Sequence, residues 1–184
     1  MAKLAICVAG LPGAGKSLIS EAARRLGFKV VVMGDAVREE ALKRGVPLSR
    51  EGLGSLMLRL REELGPTAVA KLSLAKASGD AVVFEGVRSL AEVEFFKGFF
   101  DQVYVVAVYA PPRVRYERLR SRGRSDDPST WEDFVERDLR ELKVGLGDVI
   151  ALADHLIVNT STPEEAINQA LSILKRLREG SPRG

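Results

Sequence analysis

The sequence of 184 residues is poor in the features that mark secreted and membrane-spanning proteins. Its single cysteine, Cys7, excludes an internal disulfide bond, and it lies in an apolar run where a buried thiol is the ordinary expectation. No apolar run approaches the ~20 residues that a membrane helix needs. Residues 1–10 lead directly into a glycine-rich loop and leave no room for a cleavable signal peptide. We therefore expect a cytoplasmic protein.

Asparagine and glutamine are also scarce, whereas arginine and glutamate are abundant, a composition typical of thermophilic proteins. The amide side chains are Gln102, Asn159, Asn168 and Gln169. A hydrophobic fraction of 46% with 29% charged residues is typical of a globular protein, and the length predicts one domain, residues 1–184. The net charge of +3 is too small to indicate a nucleic-acid partner, although arginines cluster between residues 113 and 124.

Short apolar runs alternate with helical segments along the chain, which predicts an α/β fold of three layers with a parallel sheet between helices. The five predicted strands cover residues 3–9, 28–33, 80–84, 102–110 and 155–160. The clearest helices cover residues 16–26, 129–142 and 163–178. The predicted core is 1–33, 80–120 and 130–180. We call residues 34–79, predicted to be helical with breaks at 45–47 and 65–66, the insertion, and residues 121–129 the lid.

The stretch "VAGLPGAGKS" carries the strongest functional signal, since it has the form G-x-x-x-x-G-K-S. Glycines allow successive backbone N–H groups to surround an anion, and the following helix adds its dipole. Lys16 can reach the β- and γ-phosphates of ATP, and the Ser17 hydroxyl can bind Mg²⁺. The alternative is a glycine-rich turn that precedes Lys-Ser by chance, but an apolar strand before it and a helix after it favour phosphate binding. The predicted phosphate loop is Gly10, Leu11, Pro12, Gly13, Ala14, Gly15, Lys16 and Ser17.

Charged residues follow two further strands, where parallel strands end at the same edge of a sheet. In "MGDAVREE" (33–40), Asp35 is either a simple helix N-cap or part of the site, and Arg38 can meet a second anionic substrate. In "VVFEGVRSLAE" (82–92), Glu85 can hold Mg²⁺ through water and Arg88 can bind a phosphate. The alternative for Glu85 and Arg88 is an ordinary strand-to-helix loop with exposed charges.

A third group of charges lies in "RSRGRSDDPSTWEDFVER" (120–137). Arg122 and Arg124 have no obvious local partner and can close over a transferring phosphoryl group. The structural alternative is a helix that starts at residues 127–128 and carries a solvent-exposed ladder of charges with i, i+4 spacing, consisting of Asp133, Arg137 and Glu141.

Together, GLPGAGKS, MGD-x-x-R-x-E, EGVR and RGRSDD-(x₈)-ER resemble the motifs of the nucleoside monophosphate kinases, adenylate kinase among them, over essentially the whole chain. More narrowly, the chain is similar to an archaeal family of adenylate-kinase-related proteins. The resemblance implies that Arg38 and Arg88 grip the phosphate of the acceptor and that the insertion is its binding flap. It also implies that the adenine of ATP lies near residues 159–161. The implied lid residues are Arg122, Arg124 and Arg137, oriented by Asp126 and Asp127.

The chain also departs from the adenylate kinase pattern at three positions. Glu85 stands where an aspartate is usual, Val87 replaces a proline, and Glu92 replaces a glutamine that reads the acceptor base. A carboxylate accepts hydrogen bonds but cannot donate them, so Glu92 suits the N–H groups of guanine better than adenine N1. The alternative for Glu92 is an exposed helix residue.

Three functions remain open from the sequence. Transfer from Mg-ATP to a nucleoside monophosphate or related nucleotide needs no strong base, because the acceptor phosphate is already ionised. Transfer to a hydroxyl needs a base, and Asp35 in D-x-x-R resembles dephospho-coenzyme A kinase at this point. The third possibility is an ATPase switch that serves RNA or ribosome assembly. The oligomeric state is left open.

Overall fold

The computed structural model describes residues 3–180, so the ends of the predicted domain, residues 1–2 and 181–184, lie outside it. Five parallel strands form one sheet in the order β2-β3-β1-β4-β5. The strands are β1 (Leu4–Ala9), β2 (Lys29–Val32), β3 (Ala81–Glu85), β4 (Gln102–Tyr109) and β5 (His155–Val158). This confirms the predicted α/β fold class.

Helices cover both faces of this sheet. The helices are α1 (Lys16–Arg25), α2 (Met33–Lys43), α3 (Arg50–Leu64), α4 (Ala68–Leu74), α5 (Leu90–Lys97), α6 (Pro112–Arg122), α7 (Trp131–Val144), α8 (Leu146–Ala151) and α9 (Pro163–Arg178). Helices α1 and α9 bury one apolar cluster, whereas α2–α5 and α8 bury the other. Within residues 3–180 no helix is long and apolar enough to cross a membrane.

The order of the strands places the predicted site. All six residues of β1 are buried, because β1 lies between β3 and β4 and has helices on both faces. The chain leaves β1 towards α1 and leaves β3 towards α5, so two adjacent strands end at the same edge. Such an edge is where ligands bind in open parallel sheets.

The insertion is helical and breaks at the predicted glycines, giving α2, α3 and α4. One detail of the prediction is wrong: Asp35 is not an N-cap, because β2 passes directly into α2 and Val32 occupies the cap position. Asp35 instead lies in the first turn, where a carboxylate is stabilised by the positive end of the helix. The short helix α8 was not predicted, since glycines at 145 and 147 hide its pattern.

The core on the α5 side of the sheet depends on stacked aromatic rings. Phe84 and Phe96 are fully buried, and their ring centroids are 3.9 Å apart. We expect Phe84→Ala to lower the free energy of unfolding by about 3–5 kcal/mol, because it removes a buried ring and leaves a cavity. Phe99→Ala is the matched control, since Phe99 is 52% exposed and should cost less than about 1 kcal/mol. Chemical denaturation measures both, and equal losses would contradict the prediction.

Candidate functional site

The phosphate loop joins β1 to α1 in a conformation that requires glycine at two positions. Gly13 and Gly15 have φ of 79° and 107°, in the left-handed region. A β-carbon on Gly13 would lie 2.6 Å from the carbonyl oxygen of Arg115. The loop therefore brings its backbone N–H groups to the N-terminus of α1, an arrangement that binds phosphate. The side chains of Leu11 and Ala14 turn into the two apolar clusters instead.

Lys16 folds back over the loop that it follows. Its Nζ donates hydrogen bonds to the carbonyl oxygens of Gly10, at 2.7 Å, and Leu11, at 3.3 Å. Burial lowers the pKa of Lys16 from 10.5 to about 8, because the charged ammonium is poorly solvated there. Among the described residues no carboxylate forms an ion pair with Lys16, so its ammonium group is available to a bound anion.

Residues from two other elements act on Lys16 through their charges. Arg88 and Arg137 lower its pKa further, whereas Glu85 and Glu141 raise it. Arg88 lies just after β3, and Arg137 and Glu141 lie on α7. The predicted arginines thus share one electrostatic environment with the lysine of the phosphate loop.

A cavity of about 720 Å³ joins the phosphate loop to the insertion. Ten lysine and arginine side chains and four carboxylates line it within residues 3–180, so its charge strongly favours anions. The cationic residues are Lys16, Arg24, Arg38, Arg61, Arg88, Arg118, Arg122, Arg124, Arg137 and Arg140, and the acidic ones are Asp35, Glu85, Asp126 and Glu141.

Arg88 is held in place while keeping a free donor. Its Nε donates to Glu141 at 2.6 Å, and its Nη1 donates to the carbonyl oxygen of Gly86 at 3.2 Å. Its Nη2 makes no hydrogen bond in the described part of the chain. Burial raises the pKa of Glu141, but Arg88 and Lys16 outweigh this and hold it below its ordinary value, so Glu141 is ionised at neutral pH. The ion pair therefore orients a guanidinium that can still bind an anion.

Asp126 links the lid to the insertion. Its Oδ2 accepts hydrogen bonds from Arg38 at 3.2 Å and from Arg137 at 3.4 Å. The other side of the Arg38 guanidinium donates to Asp35 at 3.1 Å. The Ser125 hydroxyl also donates to the carbonyl oxygen of Leu48, between α2 and α3. The lid thus lies against the insertion above the cavity.

The two lid arginines differ in their contacts. Arg122 makes a two-pronged ion pair with Asp127, with Nε at 2.9 Å and Nη2 at 2.5 Å from the carboxylate oxygens. Arg124 is exposed, and within residues 3–180 its guanidinium has no hydrogen-bond or ion-pair partner. Arg137 donates to both Asp126 and Asp127. The alternative interpretation, an exposed ladder on α7, is therefore wrong, because Arg137 contacts the lid and Glu141 is buried against Arg88.

Oxygen donors at the two strand ends fit a magnesium ion carried by a nucleotide. The Ser17 hydroxyl is exposed to the cavity, and Glu85 lines the same cavity while accepting a hydrogen bond from Ser20 at 2.5 Å. The described residues contain no cluster of three or more metal-binding side chains. Mg²⁺ keeps several waters and few protein ligands when phosphates supply the rest, so one hydroxyl and one carboxylate suffice.

Glu92 is neither an exposed helix residue nor part of the cavity wall, the two places that the sequence suggests for it. It is 1% exposed and does not line the cavity, because Ser89 caps α5 and turns Glu92 inwards in the first turn. Its Oε2 accepts a hydrogen bond from the backbone N–H of Arg88 at 2.7 Å. Its Oε1 lies 3.6 Å from Nη2 of Arg61 on α3, and neither atom has a hydrogen bond within residues 3–180. Glu92 therefore supports Arg88 from behind.

Arg115, the most buried charged side chain of α6, has a role that the sequence pattern did not reveal. It is 2% exposed, donates to the carbonyl oxygens of Ala110 and Pro12, and pairs with both oxygens of Asp138 at 2.9 and 2.6 Å. Its guanidinium lies 4.8 Å from the ring centroid of Phe134. Arg115 thus connects the phosphate loop to α7. The apolar Leu119 one turn later was the only available signal for this inward face.

Arg118 and Asn159 hold the phosphate loop from the β5 side. Nδ2 of Asn159 donates to the carbonyl oxygen of Ala14 at 2.9 Å, and Nη2 of Arg118 donates to that of Asn159 at 3.1 Å. Both residues line the cavity. They border the region where the resemblance places the adenine of ATP, and Thr160 and Ser161 next to them are exposed.

Comparisons with known proteins find close sequence relatives. The family model described as AAA domain matches residues 9–135. A UPF0200 protein of Thermococcus gammatolerans is 47% identical, over 97% of this chain and 98% of the relative. A UPF0200 protein of Hyperthermus butylicus is 51% identical, over 95% of each chain.

Solved structures share the fold at lower identity. TT1252 from Thermus thermophilus has a TM-score of 0.66 and 22% identity, over 99% of this chain and 100% of the other. Shikimate kinase from Acinetobacter baumannii, in complex with shikimate, has a TM-score of 0.60 and 19% identity, over 96% of this chain and 94% of the other. A gluconokinase from Sinorhizobium meliloti 1021 has a TM-score of 0.56 and 18% identity, over 96% of this chain and 94% of the other. The chain therefore has the P-loop kinase-like fold.

The lowered pKa of Lys16 predicts how stability depends on pH. Between pH 8 and pH 10.5 the unfolded chain keeps the Lys16 proton and the folded chain has lost it, so stability rises with pH. Relative to Lys16→Met, the free energy of unfolding should rise by up to about 3 kcal/mol across this window and stay level below pH 7. Urea denaturation at a series of pH values measures the difference. A difference that does not change with pH would contradict the lowered pKa.

Proposed function

We propose that this chain, which belongs to the family of the archaeal UPF0200 proteins and carries the AAA domain, transfers the γ-phosphoryl group of Mg-ATP to a nucleoside monophosphate or a related nucleotide. The observation that carries the proposal is the cavity shared by the phosphate loop and the insertion, with ten cationic residues against four carboxylates. An ATP-binding loop alone would not need cations from α2, from the β3–α5 loop and from α7 as well. A second anionic substrate would.

The two halves of the cavity have different roles in this proposal. The phosphate loop, Lys16 and Arg118 lie on the side that would hold ATP. Arg88 and Arg38 lie towards the insertion, and the free Nη2 of Arg88 is the donor best suited to the acceptor phosphate. Arg137 connects the two halves, because its charge lowers the pKa of Lys16 and it shares the carboxylate of Asp126 with Arg38.

Catalysis would then consist of positioning and charge neutralisation. The acceptor phosphate is ionised near neutral pH and needs no general base. Ser17 and Glu85 would hold the Mg²⁺ of the nucleotide, which would supply charge neutralisation at the phosphates of ATP. Lys16 and Arg137 would stabilise the charge on the transferring group, and the contact between lid and insertion would exclude water.

A transfer assay with a panel of acceptors tests the proposal. The full chain is incubated with Mg-ATP and each nucleoside monophosphate in turn, and nucleoside diphosphates are separated by ion-exchange chromatography. Formation of ADP with an equal amount of a second diphosphate is the expected result. ADP formed without any phosphorylated acceptor, and stimulated by ribosomal particles, would replace the proposal by an ATPase switch.

Arg88→Gln gives a sharper test of the acceptor side. It removes the charge and the free donor, and we expect kcat to fall by about 10³-fold while KM for ATP changes little, by comparison with arginines that contact transferring phosphoryl groups. Steady-state kinetics measure both constants. Arg25→Gln is the matched control, because Arg25 is exposed on α1 and pairs only with Glu21 within the described residues. A loss confined to KM for ATP would assign Arg88 to ATP instead.

A second candidate is transfer to a hydroxyl group, with Asp35 as the general base. Asp35 lines the cavity and its side chain is 60% exposed, so the carboxylate is accessible to a substrate. Two solved structures with the same fold are named as a shikimate kinase and a gluconokinase. This likeness of fold favours transfer to a hydroxyl group. Arg38 donates a hydrogen bond to Asp35 at 3.1 Å, which would orient the carboxylate.

Asp35→Asn distinguishes the two candidates. If the acceptor is a phosphate, kcat should change by less than about 10-fold, because no proton has to be removed. If the acceptor is a hydroxyl, kcat should fall by about 10²–10⁴-fold. The measurement is the rate of transfer at saturating ATP, with nucleoside monophosphates and dephospho-coenzyme A as acceptors. Binding of ATP, measured by calorimetry, should be retained in either case.

A further inference from the structure

Helix α7 carries an apolar stripe that remains partly exposed in the described part of the chain. Trp131, Val135, Leu139 and Leu142 are between 38% and 53% exposed. Their spacing of four, four and three residues puts them on one face of the helix. The other faces of α7 are occupied, since Phe134 packs in the interior and Arg137 lines the cavity. A row of four exposed apolar side chains on one face of a helix is typical of an interaction surface.

Charges beside the stripe are divided between the two halves of the helix. Glu132 and Glu136 lie in the first half, and Arg140 and Lys143 lie in the second. Glu136 and Arg140 pair with each other within the helix, at 2.7 Å, and Arg140 lines the cavity, so Glu132 and Lys143 are the exposed charges beside the stripe that can meet a partner. The helix dipole accounts for an acidic start and a basic end in a single helix. It does not account for four exposed apolar side chains on the adjacent face, which cost free energy in water.

We propose that α7 packs antiparallel against α7 of a second copy of this chain. A two-fold axis that is perpendicular to α7 and passes between the two copies at the level of Arg137 places Trp131 opposite Leu142 of the second copy and Val135 opposite Leu139. The same axis pairs the flanking charges.

One axis therefore satisfies the apolar and the charged contacts together. It sets Glu132 against Lys143 of the second copy, and this contact occurs twice, as a two-fold interface requires. In a parallel two-fold dimer the flank that carries Glu132 and Lys143 would lie on opposite sides of the two copies, so these charges could not meet. The charge pattern thus favours a second copy in the antiparallel direction.

The area available limits the strength of the association. A helix of 14 residues is about 21 Å long. One such helix covers less than the ~800 Å² per partner that is usual in stable complexes. The dimer should therefore dissociate on dilution. This proposal does not depend on the catalytic activity of the chain.

Sedimentation equilibrium of the full chain over a range of concentrations tests the proposal. A reversible monomer–dimer equilibrium is expected, and Leu139→Ser should weaken it by at least about 10-fold, because the substitution removes an apolar side chain from both halves of the interface. Leu152→Ser is the matched control: Leu152 is 68% exposed but lies after α8, outside the stripe, so the dissociation constant should not change.

Charge reversal tests the direction of packing and does not rely on an apolar substitution. Glu132→Lys and Lys143→Glu alone should each weaken the dimer, and the two together should restore it, because the new charges again face each other across the axis. Circular dichroism verifies that each variant is folded. A chain that is monomeric at every concentration, a dimer that Leu139→Ser leaves intact, or a double variant weaker than both single ones would each overturn the proposal.

Discussion

Repulsion among the cations around one cavity is the constraint on which the rest of the site depends. Ten lysine and arginine side chains share this space, and bringing them together without counter-charges would cost several kilocalories per mole for each close pair. The chain solves this by giving arginines carboxylate partners that leave donors free. Arg88 pairs with Glu141 and Arg122 with Asp127, while Arg38 and Arg137 share Asp126.

Helix α7 supplies one of these carboxylates, Glu141, and connects the cavity to the phosphate loop. Arg137 contacts the lid, Asp138 holds Arg115, and Glu141 holds Arg88. Arg115 in turn donates to the carbonyl oxygen of Pro12 in the phosphate loop. A displacement of α7 would therefore move residues at both ends of the cavity. The surface of α7 that faces away from the cavity is the one proposed to meet a second copy of the chain.

The sequence was sufficient for the fold and for the phosphate loop, because both rest on local patterns. Apolar runs define the five strands, and the spacing of Gly10, Gly15 and Lys16 defines the loop. The partners of the arginines were not predictable in the same way. On α7, a buried carboxylate such as Glu141 and an exposed one such as Glu132 occur in the same kind of charged pattern, and only the packing of distant elements separates them. Glu92 was misplaced for the same reason.

The direct passage from β2 into α2 has a consequence for how a ligand enters. Val32 ends the strand and caps the helix, so no loop separates α2 from the sheet. The turns on both sides of α3 contain Gly45 and Gly65, which have positive φ and no atom within 4 Å of the point where a β-carbon would lie. Adjustment of the insertion to a ligand is therefore easier at these two turns than at the junction of β2 and α2.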